Sequence, residues 1–584
     1  MADITNDEDV QNLIWSTLQG STCARDYIDF IRHVIGQPAP YEEAFRLAEQ
    51  YWRPVDGAEA EQQSSSKFPQ AIAELQLQAE AGNTMAMLHL GQFFIDGISM
   101  KPDEAAGQAW LRRGVDLGDA DCMIVLAQSL RKTDWNAARP LLEQALTLGE
   151  TIAHLTLADI DPQRKLYHLE QALASESPYA YALYGEFLVK QSQTETEKAR
   201  HAQWVRRAAK EGDVYGCMLL STWYSAGKAG CAKDPEVANY WMRKGADLGS
   251  AACYSLLGHH GFYAEDGKQD FLADLRRASM LGDDWSQSLL GWHGVWRGQT
   301  VQAQEEGVFW QRTAARSGYK PAMFRLSEAL RAGRGTDIDN AQAINWLEQG
   351  AELGHSECQS ALGLALLKGE ITEQNPARAH DLFQIASLQG NAWATYLLGA
   401  TYEHGDGVER DLKMALKYFK EASELGDTWA TYKVGAASYY GLGVEESNPS
   451  AVTWFRRASA MGSSEAKAQL GIMLVYGHGV ERNIEHALKW LNDAAEKDNA
   501  TALRELALLH ESGTGMSQDL EECTRLMAKA AALGDSVAHD WMAKNCPEKP
   551  AWLQELMAGD IQVGEQPEQP FTSQAKSSGP ESQV

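Results

Sequence analysis

Small and apolar side chains recur along this chain with the 3.6-residue period of helices, and the pattern itself returns every 36 residues over the second half of the sequence. Gly282, Gly318, Gly354, Gly390, Gly426, Gly462, Asp498 and Gly534 mark the repeat. With each mark as position zero, position four is small: Ser286, Ala322, Cys358, Ala394, Ala430, Ala466, Ala502 and Ala538. Positions eight and nine pair an aliphatic with a small residue, as in Leu362-Gly363, Leu398-Gly399, Val434-Gly435 and Leu470-Gly471. These positions share one side of a helix. At position fifteen stand Gly333, Gly369, Gly405, Gly441, Gly477 and Gly513, where a positive φ ends the helix without steric cost.

A second helix follows. It carries a small residue at Ala343, Ala379, Ala415, Ala451, Ala487 or Cys523, and eight residues before the next mark a large one: Trp310, Trp346, Leu382, Tyr418, Trp454, Trp490 or Leu526. This residue is expected to be the packing knob of the pair. The template extends backwards less regularly through Gly82, Gly118, Gly149, Glu176, Gly212 and Gly249, giving about thirteen helix pairs.

The run small-x3-Leu-Gly, then Gly-x-Gly-Val as in Gly405-Asp406-Gly407-Val408 and Gly477-His478-Gly479-Val480, then Ala-x2-Trp/Tyr-Phe/Leu-x2-Ala, resembles the Sel1-like repeat, a relative of the tetratricopeptide repeat. The resemblance covers residues 68–548. It implies an all-α, right-handed superhelical solenoid that binds other proteins, and leaves the partner open.

Outside the repeat, residues 1–56 carry helical periodicity in Val10, Leu13, Ile14 and Leu18 and are expected to form a helical cap or small extra domain. Residues 57–67 are polar and small, a flexible linker. The solenoid is expected over 68–558, with Trp552–Met557 as a closing helix, and the Gln/Ser/Pro/Glu-rich stretch 559–584 as a disordered tail.

The chain has 52 basic and 80 acidic residues, a formal charge of −28. That opposes binding to nucleic acid and anionic lipid and favours a basic protein partner, although such charge also simply keeps a protein soluble. The acidic start, Met1 to Asp9, has no basic and apolar regions of a secretion signal, and no apolar run is long enough to span a membrane, so a cytoplasmic location is expected. Of eight cysteines, Cys122, Cys253, Cys358 and Cys523 stand in small-residue slots and read as reduced structural thiols.

Chemistry-bearing motifs are sparse. The Gly-x-Gly elements follow a helix and lack Gly-Lys-Ser/Thr, so they are helix stops and not phosphate loops. His259, His260 and His293 lack metal-ligand spacing. There is no Gly-x-Ser-x-Gly elbow. No cofactor, metal or catalytic residue is assigned, and the chain is expected not to be an enzyme.

Positions three, seven, ten and fourteen of each first helix lie opposite the packing arc, and first helices in solenoids of this class line the concave face. On that stripe stand Trp285, Leu289, Trp292 and Trp296; Trp393, Leu397 and His404; Trp429, Lys433 and Tyr440; Glu465, Gln469 and Tyr476, with Glu328, Glu357 and Glu505 adding charge. Tryptophan and tyrosine give large contact area at low entropic cost, so these are the candidate partner-binding residues. The competing reading packs the rings against the neighbouring unit. The function expected is a non-catalytic scaffold or adaptor holding a basic protein in its groove. Neutralising a bacterial toxin as an immunity protein is the sharper alternative that the family resemblance implies. Activity seated in residues 1–56 is the rival of another class.

Overall fold

Every mark of the repeat takes a positive φ, from 80° at Gly354 to 99° at Gly149, and the two that are not glycine, Glu176 and Asp498, take 52° and 55°. The chain leaves one helix there and at most marks enters the next one residue later, whereas after Gly149 the next helix begins at Ala153. In most repeats the side chain of the residue after the mark caps the helix: Asp283 accepts from the Ser286 N–H, Asn391 from Ala394, Asp427 from Ala430, Asn499 from Ala502 and Asp535 from Ala538, each cap contributing about 1 kcal/mol. The far end of the first helix is closed by Gly333, Gly369, Gly405, Gly441, Gly477 or Gly513 in the left-handed region.

A computed structural model describes residues 76–96, 103–131, 133–263 and 271–546. Among these are thirteen successive helix pairs, from Thr84–Asp96 with Glu104–Asp116 to Ala500–Ser512 with Leu520–Ala532, and a last helix Ser536–Asn545. No strand occurs among the described residues, and the architecture is an all-α solenoid. Contact density divides the chain into two compact units, Met1–Ala343 and Ile344–Val584. The expected cap, linker, closing helix and tail lie outside the described residues.

Trp310 and Leu526 are buried knobs as expected, at 2% and 8% exposure, but in the five pairs between them the knob differs from the expectation. Trp346, Tyr418, Trp454 and Trp490 are only half-buried, and the residue one place later is the one sealed in the core: Leu347, Phe383, Phe419, Phe455 and Leu491 are all at most 3% exposed. Those side chains explain the glycine at position nine. A Cβ on Gly363 would lie 2.6 Å from Phe383, on Gly399 2.7 Å from Phe419, and on Gly435 2.7 Å from Phe455. The ring can lie against bare backbone only because the facing residue has no side chain.

Units are joined by polar stitches as well. Thr395 and Ser387 share a hydrogen bond of 2.8 Å, as do Thr431 and Ser423. Arg457 donates to the Ser423 carbonyl at 2.9 Å, and in the other compact unit Lys244 donates to that of Ala209 at 2.7 Å. Each cation thereby sits on the C-terminal carbonyls of the preceding second helix, where the helix dipole favours it. Neighbouring first helices also touch, as Ser356–Lys368 does Ala392–His404, while second helices make no comparable contact with one another among the described residues. The first helices therefore form the more closely spaced row.

Candidate protein-binding surface

In the unit Ile344–Val584, position three holds Trp393, Trp429 and Glu465, all half-buried. Trp393 stacks on Tyr396 with centroids 5.1 Å apart and planes at 23°, and Tyr396 in turn lies 5.6 Å from the buried ring of Phe419. Trp429 meets Tyr432 edge-on at 6.2 Å, and Tyr432 leans on Phe455 at 5.7 Å. Each outer indole thus stands on a column of rings that runs into the core. Glu465 is held by the hydroxyls of Ser463 and Ser464, each at 3.0 Å.

Position fourteen is the open one. Tyr440 is 61% exposed and Tyr476 55%, and His404 is exposed beside them in sequence register. Tyr440 meets Tyr439 edge-on at 4.9 Å, and Tyr476 stacks with His478 at 5.8 Å. The Tyr439 hydroxyl and His478 Nδ1 lie 3.1 Å apart. Two consecutive repeats therefore present one continuous aromatic edge.

Position seven is a joint between units, which corrects part of the expected stripe. Leu289 and Leu397 are each 6% exposed and so are core residues, not contact residues. Lys433 reaches back to Glu403 at 2.8 Å. Glu505, 8% exposed, accepts from the Tyr476 hydroxyl at 3.4 Å. In the unit Met1–Ala343, Arg325 donates to Ser288 of the preceding repeat at 3.0 Å. Gln469 is half-buried.

The other predicted cluster, in Met1–Ala343, uses its rings for packing. Trp285 lies 5.1 Å from His259 and Trp292 6.0 Å from Phe262, both on the preceding first helix. The Arg334 guanidinium covers Trp296 at 4.3 Å. These three indoles are half-buried, as Trp393 and Trp429 are, while Trp393, Trp429, Tyr440, Glu465, Gln469 and Tyr476 share one row of first helices in the other unit. His259 and His260 are ring neighbours at 6.0 Å, and no group of three metal-ligating side chains occurs among the described residues.

The repeat itself decides the family. The Sel1 repeat model matches residues 84–119, 214–250, 320–355, 356–391, 394–427, 430–463, 464–499 and 500–535. The chain is a Sel1-repeat protein. No curated protein is significantly similar in sequence. Among solved structures, a protective antigen present in uropathogenic Escherichia coli strains, displaying an SLR fold, is 24% identical, covering 83% of this chain and 93% of its own at a TM-score of 0.48. A Sel1 repeat protein from Oxalobacter formigenes is also 24% identical, covering 59% of this chain and 90% of its own at a TM-score of 0.40. An immunity protein from Pseudomonas aeruginosa is 17% identical over 42% of this chain and 81% of its own, with a TM-score of 0.21.

Within the Sel1 repeats, three residues of the surface escaped the sequence reading. Tyr396 and Tyr432, at position six, carry the outer indoles, and burial pushes both phenols up to about 12. Asp427, at position one, is held up to about 6 by burial, against the opposing pull of the Ala430 and Trp429 N–H groups. An acid or amide at position one recurs visibly along the chain, but the spacing alone says only that it caps a helix. No described helix is long and apolar enough to cross a membrane.

Proposed function

We propose that this protein is a non-catalytic scaffold that captures a basic protein partner on the first-helix row of residues 392–476. The observation that carries the reading is the set of aromatic residues Trp393, Trp429, Tyr440 and Tyr476, half-buried or exposed on consecutive repeats, with the two indoles backed by ring columns into the core. Rings held this way lose little entropy on binding, and aromatic side chains dominate interface hot spots. Glu465 on the same row and a formal charge of −28 favour a cationic partner and speed its approach.

The test compares capture from the source cells by the wild type and by a Trp429→Ala, Glu465→Lys variant, read by mass spectrometry, with far-UV circular dichroism as the folding control. Proteins lost from the variant while its helicity holds are the partners expected. An identical set of captured proteins removes this surface as the binding site. A basic toxin among the proteins lost would narrow the scaffold to an immunity role.

A further inference from the structure

The repeat between Gly149 and Glu176 is the shortest of the array, 27 residues against the usual 36. Its two helices, Ala153–Ile160 and Lys165–Ala172, have eight residues each, and neither has a side-chain cap at its start. Helices this short hold few internal hydrogen bonds and depend on what they pack against. The packing is incomplete as well. An open cavity of about 50 Å³ lies between these helices and the next first helix, lined by Leu155, Ala158, Leu169, Leu183 and Phe187.

Two histidines face each other across this repeat. His154 Nδ1 and His168 Nδ1 lie 3.0 Å apart, with Tyr167 edge-on to both rings. His168 is 6% exposed and its Nε2 is buried without a hydrogen-bond partner, while His154 is half-buried. A bond between two Nδ1 atoms needs one N–H and one bare nitrogen. The neutral pair meets that condition, and so does the pair with one added proton. A second added proton puts an N–H on both Nδ1 atoms, so the contact turns repulsive, and the buried Nε2 then carries an N–H with nothing to accept it.

Burial holds both rings below the ordinary histidine value of 6.5, with a charged His168 adding to the effect at His154. Around His168, Asp161 favours a positive charge but is itself engaged by Arg139 at 3.6 Å, and Arg139 and Arg164 oppose one. The folded repeat therefore binds fewer protons than the unfolded chain. Its stability is present above the ordinary value and is lost as pH falls through it.

We propose that the His154–His168 pair makes residues 153–172 an acid-operated hinge, closed while the two rings share a hydrogen bond and opened locally when both are charged. Opening there frees the repeats before and after it from their common joint. The neighbouring elements hold, since Trp135–Thr147 is capped by Asp134 and Glu195–Lys210 carries the capping box of Thr194 and Glu197. The inference concerns the unit Met1–Ala343 and stands apart from the binding surface proposed above.

The test is hydrogen exchange read by mass spectrometry on the full chain at about pH 7.5 and about pH 5.5, each corrected for the exchange rate of an unfolded chain. In the wild type, protection over residues 153–172 should fall by about tenfold or more at the lower pH, and that of Glu195–Lys210 by less than about twofold. His154→Asn with His168→Asn keeps two side chains that can bond each other and cannot ionise, and should remove the fall. His486→Gln, at an exposed histidine on Ile484–Ala495, should leave it as in the wild type. If the double variant does not fold, His154→Asn alone, which alters only the half-buried ring, should reduce the fall. No fall in the wild type, a fall spread evenly over the helices, or an undiminished fall in the asparagine variants would overturn the hinge.

Discussion

Lys433 Nζ stands 2.8 Å from Glu403 Oε2, a carboxylate on the preceding first helix, and both side chains are largely covered, at 27% and 17% exposure. The same cation lies 5.9 Å from the Phe419 ring centroid. Lys433 is therefore held within the repeat junction and is not a free positive charge on the surface. Replacement by alanine is expected to cost about 1 kcal/mol of stability, the loss of one partly buried pair, and to leave partner capture within about twofold. Urea unfolding and quantitative pull-down check this, and loss of capture at unchanged stability would make Lys433 a contact after all.

Tyr440 and Tyr476 behave oppositely. More than half of each is exposed, so Tyr440→Ala and Tyr476→Ala should each shift stability by less than about 1 kcal/mol, while each weakens the partner about tenfold. Thermal unfolding together with titration of the captured partner separates the two effects.

Asp427 makes stability depend on pH in an unusual direction for a carboxylate. Its folded value is raised to about 6 from an ordinary 3.8, so the folded state holds the proton more tightly than the unfolded one. The resulting stabilisation is complete below the ordinary value and is lost as pH rises through about 6. Asp427→Asn does not ionise and should be more stable than the wild type near pH 7 by about 1–3 kcal/mol, with the difference vanishing near pH 4. Hydrogen exchange in the helix Thr428–Tyr440 at the two pH values measures it.

Two glycines of one repeat should respond very differently to alanine. At Gly407, φ is +76° and a new Cβ would fall 2.3 Å from the Pro376 carbonyl oxygen, a backbone atom of the preceding repeat. At Gly426, φ is +94° and nothing lies within 4 Å. Gly426→Ala is expected to cost about 1–2 kcal/mol from the backbone conformation alone, and Gly407→Ala at least about 2 kcal/mol more by prising two repeats apart. Similar melting temperatures for the two variants would mean that the junction gives way freely.

The thiols should divide by burial. Cys122 and Cys358 are sealed in small-residue slots, and burial pushes both up to about 12. Cys217 and Cys523 are pushed up to about 11 for the same reason. Cys546 is the one described cysteine that is partly exposed. Among the described cysteines, brief alkylation of the native protein near neutral pH should label Cys546 and spare the rest, as peptide mapping would show.

The sequence by itself determined the elements and their ends. Position fifteen must be glycine-like because the chain turns there with positive φ, and Gly405, Gly441, Gly477 and Gly513 do so. The marks hold even where the residue is Glu176 or Asp498, because the spacing of the small residues fixes where a turn has to come. Both facts follow from local geometry, which side-chain period and backbone sterics already encode.

Tertiary structure decided what covers what. Opposite the packing arc of its own unit, position seven reads as free surface, yet Leu397 is buried and Lys433 is paired, because a neighbouring repeat's first helix comes close enough to claim that side. The knob moved by one residue, from Tyr418 to Phe419 and from Trp454 to Phe455, a rotation of about 100° that only the facing glycine could fix. Trp292 went to packing while Tyr440 stayed open, although both lie on the predicted stripe, since Phe262 on the preceding helix supplies a ring for Trp292 to rest on. A one-dimensional pattern records the faces of each helix, but how closely two helices stack depends on side chains from both, and that distance appears only when they meet.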